Sequence, residues 1–393
     1  RLIPTVCISL CIFVNSLSAE EPNSNSAFNG PDRFMIKQMT EASLQMAKRS
    51  RCEKDWSQTL SNQNTSNLRC ETGPGFHPFS NLHPPTAVLI GYHPKIRNFA
   101  HHKGRLWKYV KEITDLIHEI DASLKINIIY DSKEPESLVE LDSFTELPYR
   151  KFVNFIPSLA TWPVWAQDFM KIGTFGKSII PTVVAMPYEK VDSRAAYDFS
   201  NQCGFKYLDA NNNYDAKGVQ ILGPGDFGGN IEAMPGGFLI TGNSMHTSFL
   251  TRLESKLTSM PILQISTNWL DVGHVDELFT VVPTHDSKPC DFAILYASPA
   301  EGAKLRGVDD DLVKLNFHYD KIIQMDLARI LSRIAQTSEC KQPKSIAMPQ
   351  LFYTKANPAY SMMNGQLYPS GTARALNPNT VNGLVLNRNI ILP

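Results

Sequence analysis

The chain has 393 residues, of which 42% are hydrophobic, so it can bury a substantial core as one large domain or two smaller ones. Lys and Arg together number 38 and balance the 38 Asp and Glu residues, so the formal net charge at neutral pH is zero. This balance argues against nucleic acid or an anionic membrane surface as a partner.

The first residues have the pattern of an export signal. Leu2 to Val14 is an apolar run too short to span a bilayer, preceded by Arg1 and followed by small residues before Glu20. We therefore predict a signal peptide over residues 1–19, with its start missing, and a secreted protein without a stable membrane anchor. The alternative is a buried strand, although no adjacent segment offers it a pairing partner.

The cysteines beyond that segment are Cys52, Cys70, Cys203, Cys290 and Cys340. An exported chain meets oxidising surroundings that favour disulfides, and an odd number leaves at least one thiol unpaired within the chain. Cys52 and Cys70 bracket a polar loop that contains a glycosylation sequon at Asn64-Thr65-Ser66. The sequence does not determine the other pairings.

Residues 20–84 form a polar N-terminal segment, rich in Ser, Asn, Gln and Pro, with a helix predicted only near Arg33 to Arg51. We expect no chemistry there, and we place the main domain at 85–393.

From residue 85 onwards, strands alternate with amphipathic helices. The helix predicted over Lys103 to Leu124 has apolar residues spaced by four and three, and a second helix is predicted over Tyr319 to Ala335. The predicted strands are Thr86–Gly91, Ile126–Tyr130, Phe152–Ile156, Ile179–Ala185, Gly237–Thr241, Leu263–Ser266, Phe292–Ala297, Gln350–Phe352 and a pair within Val381–Leu392. This alternation predicts an α/β fold.

The stretch from Asn268 to Leu278 runs into the β-branched segment Phe279 to Pro283, which favours a strand throughout. In a strand, His274 and Asp276 would lie side by side on one face. Two alternatives are a hydrogen-bonded core pair and a metal site, but no third ligand lies nearby at the spacing a metal site needs.

Two further stretches are rich in polar and glycine residues. Trp165 and Asp168 lie three apart, a spacing with which a turn or a strand entry brings both side chains to one cavity. The second runs from Gly223 to Glu232 and matches GxGxxG, yet it neither follows a clear strand nor opens a helix, so a dinucleotide site is a poor interpretation. We expect a tight loop whose backbone approaches another group closely.

These residues together suit a guanidinium ligand. A guanidinium is planar, permanently charged and rich in donors, so its pocket needs carboxylates and an aromatic wall. Asp168, Asp276 and Trp165 have those properties. His274 can protonate a departing ammonia, whereas the nucleophile needed to break the C–N bond is still to be found.

Several motifs resemble, in order, the catalytic domain of protein-arginine deiminases, over about Pro85 to Pro393. They are Trp165-Ala166-Gln167-Asp168, Gly229-Asn230-Ile231-Glu232, Asn268-Trp269-Leu270, Val272-Gly273-His274-Val275-Asp276-Glu277, Ala297-Ser298-Pro299, Pro349-Gln350-Leu351-Phe352 and Val381-Asn382-Gly383-Leu384-Val385-Leu386. The resemblance implies an α/β pentein fold, a pseudo-five-fold β/α propeller with its last blade incomplete.

The resemblance also implies roles for particular residues. Asp168 and Asp276 would hold the substrate guanidinium, Trp165 would wall the pocket, His274 would act as general acid and then base, and Arg194 would hold the substrate backbone. The substrate would be an arginine-containing protein or peptide. A cysteine would form a covalent thiouronium that water resolves to citrulline.

That cysteine is expected beyond Pro393, in a Cys-Gly-Thr segment, so the chain is interpreted as a fragment that is inactive by itself. Ser370-Gly371-Thr372 is similar, but it precedes the final strand motif and is interpreted as a decoy, because a serine hydroxyl without a dedicated base is a poor nucleophile. None of Cys203, Cys290 and Cys340 lies in the right context.

Calcium is the cofactor that the resemblance implies, with Gln167 and Glu232 at matching ligand positions. Phe169 and Lys171 stand where two further carboxylates are expected. Calcium prefers several oxygen ligands and a lysine repels it, which leaves metal dependence open.

Two other functions remain open. One is deimination of a small guanidine such as free arginine or agmatine, and the other is an inactive guanidinium-binding protein.

Overall fold

The computed structural model describes residues 75–83, 85, 87–93, 106–134, 150–160, 166–176, 180–187, 193–210, 223–307, 310–354, 360–363, 366–369, 371–376, 379–382, 384–386 and 389–391. The predicted signal peptide, most of the polar segment, the helix near Arg33 to Arg51, and Trp165 lie outside these residues. The domain boundaries therefore stay predictions.

The described residues form short strands and six α-helices. The strands are β1 Phe76–Pro78, β2 Ala87–Tyr92, β3 Lys125–Asp131, β4 Val153–Ser158, β5 Met170–Phe175, β6 Ile180–Ala185, β7 Lys206–Asp209, β8 Ile231–Met234, β9 Phe238–Gly242, β10 Ile262–Ile265, β11 Phe279–Pro283, β12 Phe292–Ser298, β13 Lys344–Pro349, β14 Phe352–Thr354, β15 Tyr360–Met363, β16 Gln366–Pro369, β17 Ala373–Ala375, β18 Leu384–Leu386 and β19 Asn389–Ile391. The helices are α1 Leu106–Ile120, α2 Ala166–Phe169, α3 Ser193–Cys203, α4 Thr247–Arg252, α5 Pro299–Arg306 and α6 Asp311–Thr337.

One structural unit occurs three times in the part of the chain that the structure describes. An antiparallel pair of strands is followed by one or two α-helices and then by a strand parallel to the second of the pair. The units are β5–β6–α3–β7, β8–β9–α4–β10 and β11–β12–α5–α6–β13. Strands β2, β3 and β4 form a separate parallel sheet, and β18 and β19 form another antiparallel pair. The α/β prediction is therefore confirmed as a set of small sheets with helices between their strands.

Helix α6 shows why the apolar periodicity was informative. Ile323, Leu327, Ile330 and Ile334 are buried at spacings of four and three, and they pack on strands β9, β11 and β12. The helix begins earlier than predicted, because the Asp310 carboxylate accepts the Val313 N–H at 3.0 Å and caps the first turn. None of the helices in the described part of the chain has the length and apolar composition of a membrane span.

The Asn268-Trp269-Leu270 motif is an anchor for the core. The Trp269 ring stacks on Tyr319 of α6 at 4.5 Å between centroids and meets Phe352 of β14 edge-on at 5.1 Å. Its indole N–H donates to the Ser266 carbonyl at 2.8 Å. The motif therefore ties the chain before β11 to the longest helix.

The strand predicted throughout Asn268 to Leu278 is wrong. Strand β11 begins only at Phe279, and Val275 to Glu277 form a turn of 3₁₀-helix instead. Gly273 adopts a positive φ of 80°, which a glycine reaches without strain, and it turns the chain into this helix. His274 and Asp276 are thus brought together by a tight turn and not by the two-residue period of a strand.

Cys290 and Cys340 form a disulfide, and Cys203 is disulfide-bonded as well. The Cys290–Cys340 bond joins the loop before β12 to the segment after α6, so it closes a loop that contains most of the third unit.

Candidate active site

Three side chains meet over the backbone of Gly229: Asp168 and, from one turn much later in the sequence, His274 and Asp276. A methyl group placed on Gly229 would lie 2.5 Å from His274 Nδ1, 2.6 Å from Asp276 Oδ2 and 2.8 Å from Asp168 Oδ1. All three contacts are too short for a real Cβ atom. The missing side chain at Gly229 therefore makes the space in which an imidazole and two carboxylates converge.

These residues lie at equivalent places in the three repeated units. Asp168 is in α2, just before β5; Gly229 is just before β8; Asp276 is just before β11. Each unit thus presents the chain that leads into its first strand to one common centre. Asp168, Gly229 and Asp276 are far apart in the sequence because each belongs to a different repeat of the unit.

The glycine-rich loop from Gly223 to Asn230 closes the site from one side, as the tight-loop prediction required. A Cβ at Gly228 would clash with the Gln167 carbonyl, and one at Gly225 would clash with the Ser244 carbonyl. The buried Asn230 side chain fixes the loop, because its amide donates to the Gly225 carbonyl at 2.6 Å and its oxygen accepts the Gly242 N–H at 2.8 Å. The literal GxGxxG is therefore a close-packing motif here.

His274 is fully buried, and its two ring nitrogens have different surroundings. Nε2 lies 2.7 Å from the Pro224 carbonyl oxygen, an acceptor only, so Nε2 carries a hydrogen. Nδ1 has no hydrogen-bond partner among the described residues, and it lies 3.6 Å from Asp168 Oδ1 and 3.9 Å from Asp276 Oδ1. In the neutral ring, the Nδ1 lone pair therefore faces two carboxylates. Such a site is relieved by a donor-rich cation or by a proton on Nδ1.

Burial shifts the titration of the whole cluster. Burial lowers the pKa of His274, against the opposing attraction of Asp168, and it raises the pKa of Asp168. The pKa of Asp276 is raised well above its usual range, first by burial and then by the negative charges of Asp168 and Glu232. Burial therefore favours the neutral form of the imidazole and opposes ionisation of both carboxyl groups.

Glu277 supports the turn that carries His274. Its carboxyl oxygen accepts the His274 backbone N–H at 3.3 Å, and its own carbonyl accepts from the Asn379 side chain at 2.8 Å. Burial raises the pKa of Glu277 to about 8.

The predicted metal-ligand residues lie beside Asp276 and contact one another. Gln167 Nε2 donates to Asp276 Oδ2 and to Glu232 Oε1, both at 3.0 Å, and Lys171 Nζ lies 3.0 Å from the same Glu232 oxygen. Calcium requires six to eight oxygen ligands. Glu232 Oε1, an oxygen that calcium would need, already accepts from the Lys171 ammonium and the Gln167 amide. These residues therefore do not fit a calcium ion.

Trp165 and Arg194 are the two residues predicted to bind the substrate outside the carboxylate pair. Trp165 lies outside the described residues, so its role as a pocket wall stays a prediction. Arg194 pairs with Asp198 one turn along α3, Nε to Oδ1 2.9 Å, and lies 5.1 Å from the Tyr197 ring centroid. Within the described residues it makes no hydrogen bond or ion pair with Asp168, His274 or Asp276, so substrate-backbone binding by Arg194 also stays a prediction.

No free thiol is found in the described part of the chain, because Cys203, Cys290 and Cys340 are all disulfide-bonded. Ser370, of the Ser370-Gly371-Thr372 motif, lies outside the described residues. Thr372 is exposed and donates its hydroxyl to Asp271 at 2.9 Å.

Residues 227–307 match the protein-arginine deiminase family model. The segment contains Glu232, His274 and Asp276, and the resemblance predicted from the sequence is confirmed for it. Among solved structures, the chain is similar to agmatine deiminase from C. jejuni, with 12% identity, a TM-score of 0.49, and 83% of each chain covered. A structural-genomics target assigned as an agmatine deiminase has 12% identity and a TM-score of 0.48, with 81% of this chain and 84% of that chain covered. No curated protein matches the sequence.

Three residues that shape the site were not singled out from the sequence. The Pro224 carbonyl sets the His274 tautomer, the Glu277 carboxyl holds the turn, and the Lys171 ammonium pairs with Glu232. Lys171 was visible only as a mismatch to a family ligand. Pro224 acts through its backbone carbonyl and Glu277 accepts from a backbone N–H, and the side-chain pattern gives no signal for contacts with backbone groups.

Gly229→Ala should destroy the site while the fold survives. We expect the added methyl to displace His274 and both aspartates and to reduce any guanidinium binding at least about tenfold, a change of about 1.4 kcal/mol. Calorimetric titration with a blocked arginine amide measures this loss. The matched control is Gly223→Ala in the same loop, where the added Cβ meets only the half-exposed His246 ring. Equal loss in both variants would contradict the role given to Gly229.

Glu277→Gln should flatten the pH dependence of stability. The folded protein keeps the Glu277 proton up to about pH 8, whereas the unfolded chain releases it near the ordinary pKa of 4.5. Stability from this group is therefore full below pH 4.5 and is lost as pH rises towards 8, by up to about 1.4 kcal/mol per pH unit. Urea unfolding at pH 5 and pH 8 should show a smaller decline in the variant, whereas the exposed-site control Glu254→Gln should retain the wild-type decline.

Proposed function

We propose that the protein hydrolyses the guanidinium of arginine in proteins or peptides, giving citrulline and ammonia. The observation that carries this proposal is the buried, unsatisfied group of His274 Nδ1 and Asp276 Oδ1 beside Asp168. Leaving buried polar atoms unpaired costs about 1–3 kcal/mol each, and a guanidinium offers five N–H donors and a positive charge to pair with them. The family match supports arginine within a polypeptide as the substrate.

The residues of this chain then have definite roles. Asp168 and Asp276 bind the guanidinium and orient its carbon. The neutral His274 accepts the proton of a thiol at Nδ1, which creates the thiolate and the acid together, since Nε2 is held on the Pro224 carbonyl. The thiolate that the family resemblance expects is not among the described residues.

Each bond change can be followed. The thiolate sulfur bonds to the guanidinium carbon, the Nδ1 proton passes to one terminal nitrogen, and that C–N bond breaks to release ammonia. Water then adds to the same carbon and gives one proton to Nδ1 and one to solvent, and the C–S bond breaks to release citrulline. Asp168 and Asp276 stabilise the imidazolium when Nδ1 is charged.

Two further features of the protein form part of the proposal. The repeated strand–strand–helix–strand units would be blades of a pentein propeller. The protein would act outside the cell, in accord with the predicted signal peptide; the disulfide bonds at Cys203, Cys290 and Cys340 support an oxidising compartment.

The substrate class is tested on protein that carries the cysteine expected from the family resemblance. Peptidyl-arginine, free arginine and agmatine are compared at equal concentration, with citrulline or carbamoyl product and ammonia as readouts. We expect turnover of the peptide at least about tenfold above either small guanidine. Turnover of agmatine or free arginine alone would establish the small-guanidine alternative. Tight binding of all three without ammonia release would establish a binding protein.

The roles within the site are tested by single variants. His274→Ala should lower kcat at least about 100-fold, because it removes the acid and base, while the affinity for a blocked arginine amide changes little. Asp276→Ala should weaken that affinity itself. His285→Ala, at an exposed histidine, is the control. Wild-type turnover in either site variant would refute the assignment.

A further inference from the structure

Lys171 places a positive charge inside the protein next to the site. It lies in β5, and its side chain is 13% exposed. Its ammonium lies 3.0 Å from Glu232 Oε1, and the Glu232 side chain is 10% exposed. A lysine buried to this extent requires a partner, and Glu232 of β8 supplies it across two neighbouring units.

A chain of hydrogen bonds leads from this ion pair to the guanidinium-binding carboxylate. Gln167 donates to the Glu232 oxygen that Lys171 contacts, and the same Nε2 donates to Asp276 Oδ2. Glu232 and Asp276 are therefore close neighbours that share one amide. Without a cation on Glu232, the repulsion between the two carboxylates would drive Asp276 away from its position over Gly229.

The contacts of Gln167 and Lys171 with Glu232 also determine which kind of cation can lie beside Glu232. A divalent ion would need the oxygens of Glu232 and of the Gln167 amide, whereas Gln167 presents its NH₂ group to both carboxylates and Lys171 occupies the approach to Glu232. We propose that the Lys171 ammonium is the built-in cation of this site, which holds Asp276 in position through Glu232 and Gln167 and makes guanidinium binding independent of a divalent metal.

This inference rests on the proposed function. It adds that the Lys171 ammonium supplies the positive charge that offsets Glu232 beside Asp276. Lys171 acts as a positioning residue, because it contacts Glu232 and not the substrate. The competing view is an ion pair that only joins β5 to β8. A purely structural pair would change the unfolding temperature and leave the affinity of the folded protein for guanidinium unaltered.

The first experiment measures binding and turnover with a blocked arginine amide. Lys171→Met keeps the aliphatic length and removes the charge, and we expect KM to rise at least about tenfold with kcat changed far less. Lys171→Arg should restore most of the affinity, because it restores the charge. Lys256→Met, at an exposed lysine, is the control. An unchanged KM in folded Lys171→Met overturns the proposal.

The second experiment uses metal ions and needs no enzymatic activity. Wild-type protein should show no terbium luminescence from this site and the same unfolding temperature in EDTA and in millimolar calcium. Lys171→Glu adds a carboxylate beside Glu232 and Gln167, so it should gain terbium binding and a calcium-dependent rise in unfolding temperature, and the added Glu232→Gln change should abolish both. If the single variant proves unstable, Lys171→Gln with the same titration replaces it, with a weaker gain expected.

The two proposals can fail separately. Terbium binding by the wild type that Glu232→Gln removes, or activity lost in EDTA and restored by calcium, overturns the built-in cation and leaves deimination intact. In protein that carries the expected family cysteine, absence of turnover with every guanidine, together with the expected gain of ion binding in Lys171→Glu, overturns deimination and supports the built-in cation.

Discussion

The site depends on the close approach of backbone to side chain at Gly229. The imidazole and both carboxylates occupy the volume that any other residue would fill, so they can meet only where the chain has no Cβ. This approach needs a rigid loop, and Asn230 provides it by satisfying both the Gly225 carbonyl and the Gly242 N–H. A backbone constraint thus determines where the charged groups lie, and the charges in turn determine which ligand relieves them.

The repeated units explain how residues so far apart in sequence reach one centre. In each unit, the segment that leads into the first strand carries a polar or glycine residue, and the three segments meet at that point. The helices and paired strands behind them supply the apolar core that fixes the position of each segment; Trp269, stacked on Tyr319, does this for the third unit. Stability and site geometry therefore come from separate parts of the same unit.

The sequence predicted the regular elements well where apolar periodicity was strong, as in α6 and the strands of the small sheets. It predicted the meeting of His274 with Asp276 for an incorrect reason, because β-branched residues beyond Phe279 suggested a strand where Gly273 starts a 3₁₀ turn. Helix α3 was not predicted because it is short, and two of its buried residues, Ala195 and Ala196, are small and give only a weak apolar signal. The glycine-rich loop was predicted from the sequence, but the groups that Gly229 and Pro224 contact were not, because those contacts join segments distant in the chain and involve backbone groups.

Electrostatics gives the final link between this geometry and a cationic ligand. Removing carboxylates from water is unfavourable, and burial is the first cause that raises the pKa of Asp168, Asp276 and Glu277. A neutral ligand would leave that cost in place. On the proposed function, a planar cation that donates to Asp168 and Asp276 at once would restore their charge and give the unpaired His274 Nδ1 a partner.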